Sequence, residues 1–119
     1  MMKDQQFTVS PSAAAYIQEM LQIGARHPKF AGLVPGLGFY YEKTAWTEDM
    51  LFVRHVPDGH FLVCFFDTHQ ASDFDRYCVA GADLAISPES LDRLRGTNLE
   101  LEEVPKKGRM SRWLVARKY

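Results

Sequence analysis

Cysteine is scarce in this chain of 119 residues, which carries two, Cys64 and Cys78. Two thiols cannot build the disulfide framework of a small secreted domain, and no CxxC or CxC spacing offers the soft ligand set of a structural metal site. Charge of one sign is also lacking: 14 Lys and Arg stand against 15 Asp and Glu, a formal charge of −1, so no global field draws nucleic acid or anionic membrane. Long apolar runs are missing too. The longest, Phe61 to Phe66, is far shorter than a membrane span, and Met1 to Gln6 has no apolar signal core. Neither a G-x-S-x-G elbow nor the full spacing of a calcium loop occurs. The expected setting is a reducing cytoplasm without membrane attachment.

What is present reads as one ordinary folded domain, 1–119, since 46% hydrophobic and 24% charged residues are typical of soluble domains of this length. Phe7-Thr8-Val9 is a short extended segment. Ser10-Pro11 then opens an amphipathic helix with Ala13, Ile17, Met20 and Leu21 on one face, which Gly24 is expected to end. Six glycines and prolines between 24 and 38 predict a loop with a short strand near Leu33. Aromatic content marks Phe39 to Glu42 as a strand, and Met50–Val56 and Phe61–Phe66 read as a hairpin around Pro57-Asp58-Gly59. Both faces of that hairpin are apolar, which is expected of strands covered on both sides or lying at a homodimer contact.

Asp67 to Arg76 reads as a polar surface loop and Tyr77 to Ile86 as one strand with a bulge or close approach at Gly81. Ser87-Pro88-Glu89 opens a second, short helix that Gly96 stops. Asn98–Val104 and Met110–Lys118 form a final hairpin. There Glu100, Glu102 and Glu103 can face the basic strand that carries Arg112, Arg117 and Lys118, a pairing favoured over a nucleic-acid surface. Helix, strands, short helix and strands make an α+β pattern with small mixed β-sheets.

Few residues suggest chemistry. His55 and His60 flank one turn and, with Cys64 and Cys78, are the candidate metal ligands, although no spacing fixes a third ligand. Both cysteines read better as small buried hydrophobes. Gly36-Leu37-Gly38 is a candidate binding loop that could present backbone N–H groups to an anion, but without a following helix it reads as a tight turn. A pocket near Tyr40, Tyr41 and Trp46, with Asp67 or His69 as polar groups, is the candidate for a small ligand or an enzyme site.

Two segments resemble the HesB-like A-type iron–sulfur cluster carriers. Phe7-Thr8-Val9-Ser10-Pro11-Ser12-Ala13-Ala14-Ala15 looks like the family's opening strand and helix start. Ala85-Ile86-Ser87-Pro88-Glu89-Ser90-Leu91-Asp92-Arg93-Leu94-Arg95-Gly96-Thr97-Asn98-Leu99-Glu100 is similar to its Val-Asp-Pro-x-Ser-x-x-x-Leu-x-Gly-Thr segment. The resemblance implies a HesB-like fold. It also implies that three cysteines should hold the cluster, one in a Gly-rich loop and two as Cys-x-Cys near the C-terminus. Val34-Pro35-Gly36-Leu37-Gly38-Phe39 resembles that loop with Gly36 at the cysteine position, and no Cys-x-Cys follows. The expectation is therefore a non-catalytic relative without a bound cofactor, acting as a binding or assembly module through homodimers or another protein partner.

Overall fold

The computed structural model describes residues 6–40, 60–106 and 109–118. The strand read at Met50–Val56, its turn at 57–59, and Tyr41 and Glu42 lie outside them. Strand β1 (Thr8–Val9) leads into helix α1 (Pro11–Arg26). Ser10 caps α1 in extended backbone, its Oγ accepting from Ala13 N at 3.2 Å, while Pro11 occupies a first-turn position that needs no donor. Ala13, Tyr16, Ile17, Met20 and Gly24 form the buried stripe. The helix does not stop at Gly24 but runs on to Arg26. Gly24 is there for space: a Cβ at this position would lie 2.1 Å from Cζ of Phe65.

A single 3₁₀ turn (Pro28–Phe30) leads to β2 (Val34–Tyr40), which runs where a loop was expected. Pairing overrides the glycine and proline punctuation: β2 lies antiparallel to β3 (His60–Phe66) along its whole length and parallel to β5 (Ala82–Ile86) at Gly36↔Ala85 and Leu37↔Ile86. Pro35 precedes the first β2–β5 pair, near the strand's start, where a missing N–H is tolerated.

The polar stretch after β3 holds one helical turn, α2 (Thr68–Ala71), capped by Asp67, whose Oδ1 accepts from Gln70 N at 2.7 Å. The single strand expected over Tyr77–Ile86 is a hairpin, β4 (Asp75–Val79) and β5. Its two-residue turn has φ of +52° at Ala80 and +78° at Gly81, the left-handed pair that matches the twist of a tight hairpin. Gln18 of α1 donates its side-chain amide to the Ala80 carbonyl and holds that tip. Helix α3 (Pro88–Leu94) begins at its Ser87 cap, and Gly96, at φ +72°, turns the chain beyond it. Strands β6 (Thr97–Lys106) and β7 (Arg109–Lys118) form the final hairpin as expected. Arg117 reaches Glu100 at 3.1 Å and Glu102 at 3.0 Å, whereas Arg112 crosses to Glu19 of α1 at 2.6 Å.

Instead of several small sheets, the seven strands of the described residues join one mixed sheet in the order β1-β6-β7-β3-β2-β5-β4. Helices and a mixed sheet together are compatible with the α+β class. The main core lies on the α1 side, where Ile17, Leu37, Phe61, Leu84, Leu99 and Leu114 are fully buried. The opposite face carries a second cluster of Leu62, Cys64, Phe66, Ala71, Ala85 and Trp113. Strand β3 contributes to both clusters, so its two-sided apolar character follows from its central place in the sheet and needs no second subunit. Among the described residues, no helix is long and apolar enough to cross a membrane.

Candidate binding cleft

Gly36-Leu37-Gly38 is not a loop with N–H groups free for an anion. It is the middle of β2, with Leu37 pointing into the α1 core and the two glycines on the opposite face. At Gly36 a Cβ would stand 2.3 Å from the Ala85 carbonyl oxygen and 2.5 Å from the Phe66 ring, so no side chain fits. The Phe66 ring fills the space above Gly36. Gly38, on the same face, is also buried.

Among the described residues, a cleft of 430 Å³ is lined by Gly38, Phe39, Phe66, Gln70, Phe74 and the 87–90 segment. The local folding explains it. Strand β5 ends at Ile86 and the chain turns at Ser87 into α3, while β2 continues to Tyr40, leaving the last part of β2 without β5 beside it. Ser90 replaces the lost neighbour in part. Its buried hydroxyl accepts a long hydrogen bond from Phe39 N at 3.4 Å and another from Ser87 Oγ at 3.0 Å. Phe66 and Phe74 meet edge to face, with centroids 5.1 Å apart, and wall the α2 side. The Phe39 ring packs on the α1 face of the sheet, edge-on to Phe61 at 5.2 Å, with the Arg93 guanidinium 4.1 Å from its centroid and 3.8 Å from the Glu89 carboxylate.

The candidate metal ligands do not converge. Cys64 sits opposite Gly36 in the register, fully buried, and burial pushes its thiol far above its ordinary range. Cys78 is exposed on β4, contrary to the expectation that it would be a buried hydrophobe. It cannot be buried there because its neighbours Tyr77 and Val79 face the core, and alternation turns Cys78 outward. Cys64 and Cys78 lie three strands apart, on the order of 14 Å at the usual strand spacing. His60 packs its ring edge-on against Trp113 at 5.7 Å. His55 lies outside the described residues, among which no group of three His, Cys, Asp or Glu could hold a metal ion.

Of the expected ligand pocket, Tyr41 and Trp46 also lie outside the described residues. Asp67 is occupied in capping α2, and His69 is exposed on α2. A second, more polar cleft of 330 Å³ lies between Gln6, Asp75, Tyr77 and Arg95, where Arg95 is already bound by Gln6 Oε1 at 2.6 Å and by Asp92.

Sequence reasoning missed Phe66, Phe74 and Glu89 as cleft residues. The available signal was the Gly-x-Gly spacing, which on a strand leaves two successive same-face positions without side chains. No protein-family model matches the chain, and no curated protein is significantly similar to it.

Proposed function

We propose that the chain is a cluster-free relative of the A-type carriers: a non-catalytic, cytoplasmic binding module that keeps the carriers' shape and lacks their thiolate site. One observation carries this reading. The position that resembles the carriers' loop cysteine is Gly36, and the Ala85 carbonyl and Phe66 leave no volume there for any side chain. The nearest thiol, Cys64, is paired opposite it but is sealed in the apolar cluster and held protonated by burial, so it makes a poor soft ligand. Support for the likeness itself comes from where the two resembling segments fall. The first forms β1 and the capped start of α1, and the second forms α3 with its Gly-Thr exit into β6.

Anaerobic reconstitution with ferrous iron and sulfide tests the proposal. The expected product is colourless. A brown protein whose visible absorption disappears in Cys64→Ser or Cys78→Ser would overturn it.

A further inference from the structure

We propose that the polar cleft between β4 and α3 binds a small uncharged molecule of the carboxamide type, with an apolar body and a head that both donates and accepts hydrogen bonds. This inference stands on that cleft's own chemistry and does not rest on the likeness to cluster carriers. The walls belong to one side of the sheet. Tyr77 and Ile86 join Leu91 of α3 in the core cluster on the α1 side, and Asp75 shares their face because it stands two positions from Tyr77 and opposite Ile86 in the register. From α3, Pro88, Leu91, Asp92 and the capping Arg95 follow at spacings of three and four, so a single helix face forms the other wall. The volume between them, 330 Å³, is room for a small molecule.

The Tyr77 hydroxyl is what points to a ligand. Tyr77 is 3% exposed, yet among the described residues its hydroxyl makes no hydrogen bond to the protein. A buried tyrosine ordinarily pairs this group, because an unpaired one forfeits its hydration. The side chain lines the cleft, so its open donor and acceptor are offered to whatever occupies that space.

Charge sets the class of occupant. Each charged residue of the lining is already engaged: Arg95 donates to Gln6 Oε1 and to Asp92, and Asp75 has a partner as well. A ligand anion reaching Arg95 meets the Asp92 carboxylate on the same guanidinium, and a ligand cation reaching Asp92 meets Arg95. Neither sign gains an unpaired counter-charge. What remains is neutral hydrogen-bonding capacity, in the Tyr77 hydroxyl and in the Gln6 amide N–H groups, beside the apolar surface of Ile86, Pro88 and Leu91. A carboxamide matches that set: its carbonyl accepts from Gln6, and its own N–H donates to the Tyr77 oxygen.

NMR titration of the isotope-labelled full chain with benzamide, benzoate and benzylamine tests the proposal, together with thermal unfolding of Tyr77→Phe. Benzamide should bind with a Kd of about 1 mM, as expected for so small a ligand, and shift the amides of β4 and α3. It should bind about threefold or more tightly than either charged analogue. Tyr77→Phe should keep its Tm within about 3 °C of the parent, since no protein hydrogen bond is lost, and weaken benzamide about three- to tenfold. Absence of benzamide binding at about 10 mM would overturn the proposal, as would shifts centred away from β4 and α3 or equal affinity for a charged analogue. So would an unchanged affinity in Tyr77→Phe, or a larger fall in its Tm, which would show the hydroxyl already paired within the fold. None of these results bears on iron–sulfur reconstitution, so the two proposals fail separately.

Discussion

Replacing Gly36 by alanine adds one methyl group at a place where the nearest atom is backbone. The Cβ would meet the Ala85 carbonyl oxygen at 2.3 Å and Phe66 ring atoms at 2.5 and 3.0 Å. Ala85 is the β5 partner of Gly36, so its carbonyl can retreat only if β2 and β5 part at one of their two paired positions. Overpacking of this kind costs about 1–3 kcal/mol, and a lost or stretched sheet hydrogen bond adds about 0.5–1.5 kcal/mol. Against this, removing glycine from a strand gains about 0.5–1 kcal/mol of backbone entropy. The net loss should be about 2–3 kcal/mol, a fall in Tm of about 10 °C for a domain of this size.

Gly24→Ala provides the contrast. The added Cβ falls 2.1 Å from Cζ of Phe65, but that atom is the far end of a half-buried ring stacked on Phe30, which can swing aside. A helix interior also favours alanine over glycine by about 1 kcal/mol, so the net effect should stay within about 1 kcal/mol of zero. Urea unfolding followed by far-ultraviolet circular dichroism measures both variants. A Gly36→Ala protein as stable as the parent, or more stable than Gly24→Ala, would refute the argument that an immovable carbonyl closes this position.

Two further expectations concern the thiols. In the native protein a maleimide should modify Cys78 rapidly and Cys64 only after denaturation; equal rates would contradict the burial of Cys64. Because burial raises the Cys64 pKa, the folded state keeps a proton that the unfolded chain releases above about pH 8.5. Its stabilising contribution is full below that pH and declines above it, by up to about 1.4 kcal/mol per pH unit. Cys64→Ala should therefore show a shallower loss of stability between about pH 9 and 11 than the parent in urea titrations, and identical slopes would disprove the linkage. Tyr16, whose pKa burial also raises, retains its own share of the alkaline loss in both proteins.

Much of the fold was legible because it is written locally. Ser10-Pro11 and Ser87-Pro88 announce two helix starts through the same cap chemistry, and both caps form. The opposed charges of the last hairpin anticipate Arg117 between Glu100 and Glu102. Failures arise where tertiary neighbours overrule local preference. Gly36 and Gly38 read as turn residues because glycine is permissive, yet both lie in a strand, and at Gly36 a side chain would collide with the Ala85 carbonyl and the Phe66 ring. Gly24 reads as a helix stop for the same reason, and its cause is the Phe65 ring, forty-one positions away. Gly81 was noticed, but the tight turn that makes two strands of one also needs Ala80 in a left-handed conformation, which its identity does not advertise. The cleft is not legible because its lining comes from β2, β3, the segment after α2 and the start of α3, and no spacing along the chain relates these.

The sheet joins segments that lie far apart in the sequence. β1 pairs in parallel with β6, Thr8 with Asn98 and Val9 with Leu99, and the joint is reinforced by hydrogen bonds from Ser10 N to the Leu99 carbonyl and from Gly96 N to the Gln6 carbonyl. On a ribosome, β1 must therefore wait for β6, whose Asn98 follows Thr8 by 90 residues. At synthesis rates of about 5–20 residues per second, some 5–20 s pass before β6 emerges to receive it. Until then α1 has only part of its floor, and its apolar stripe stays uncovered there.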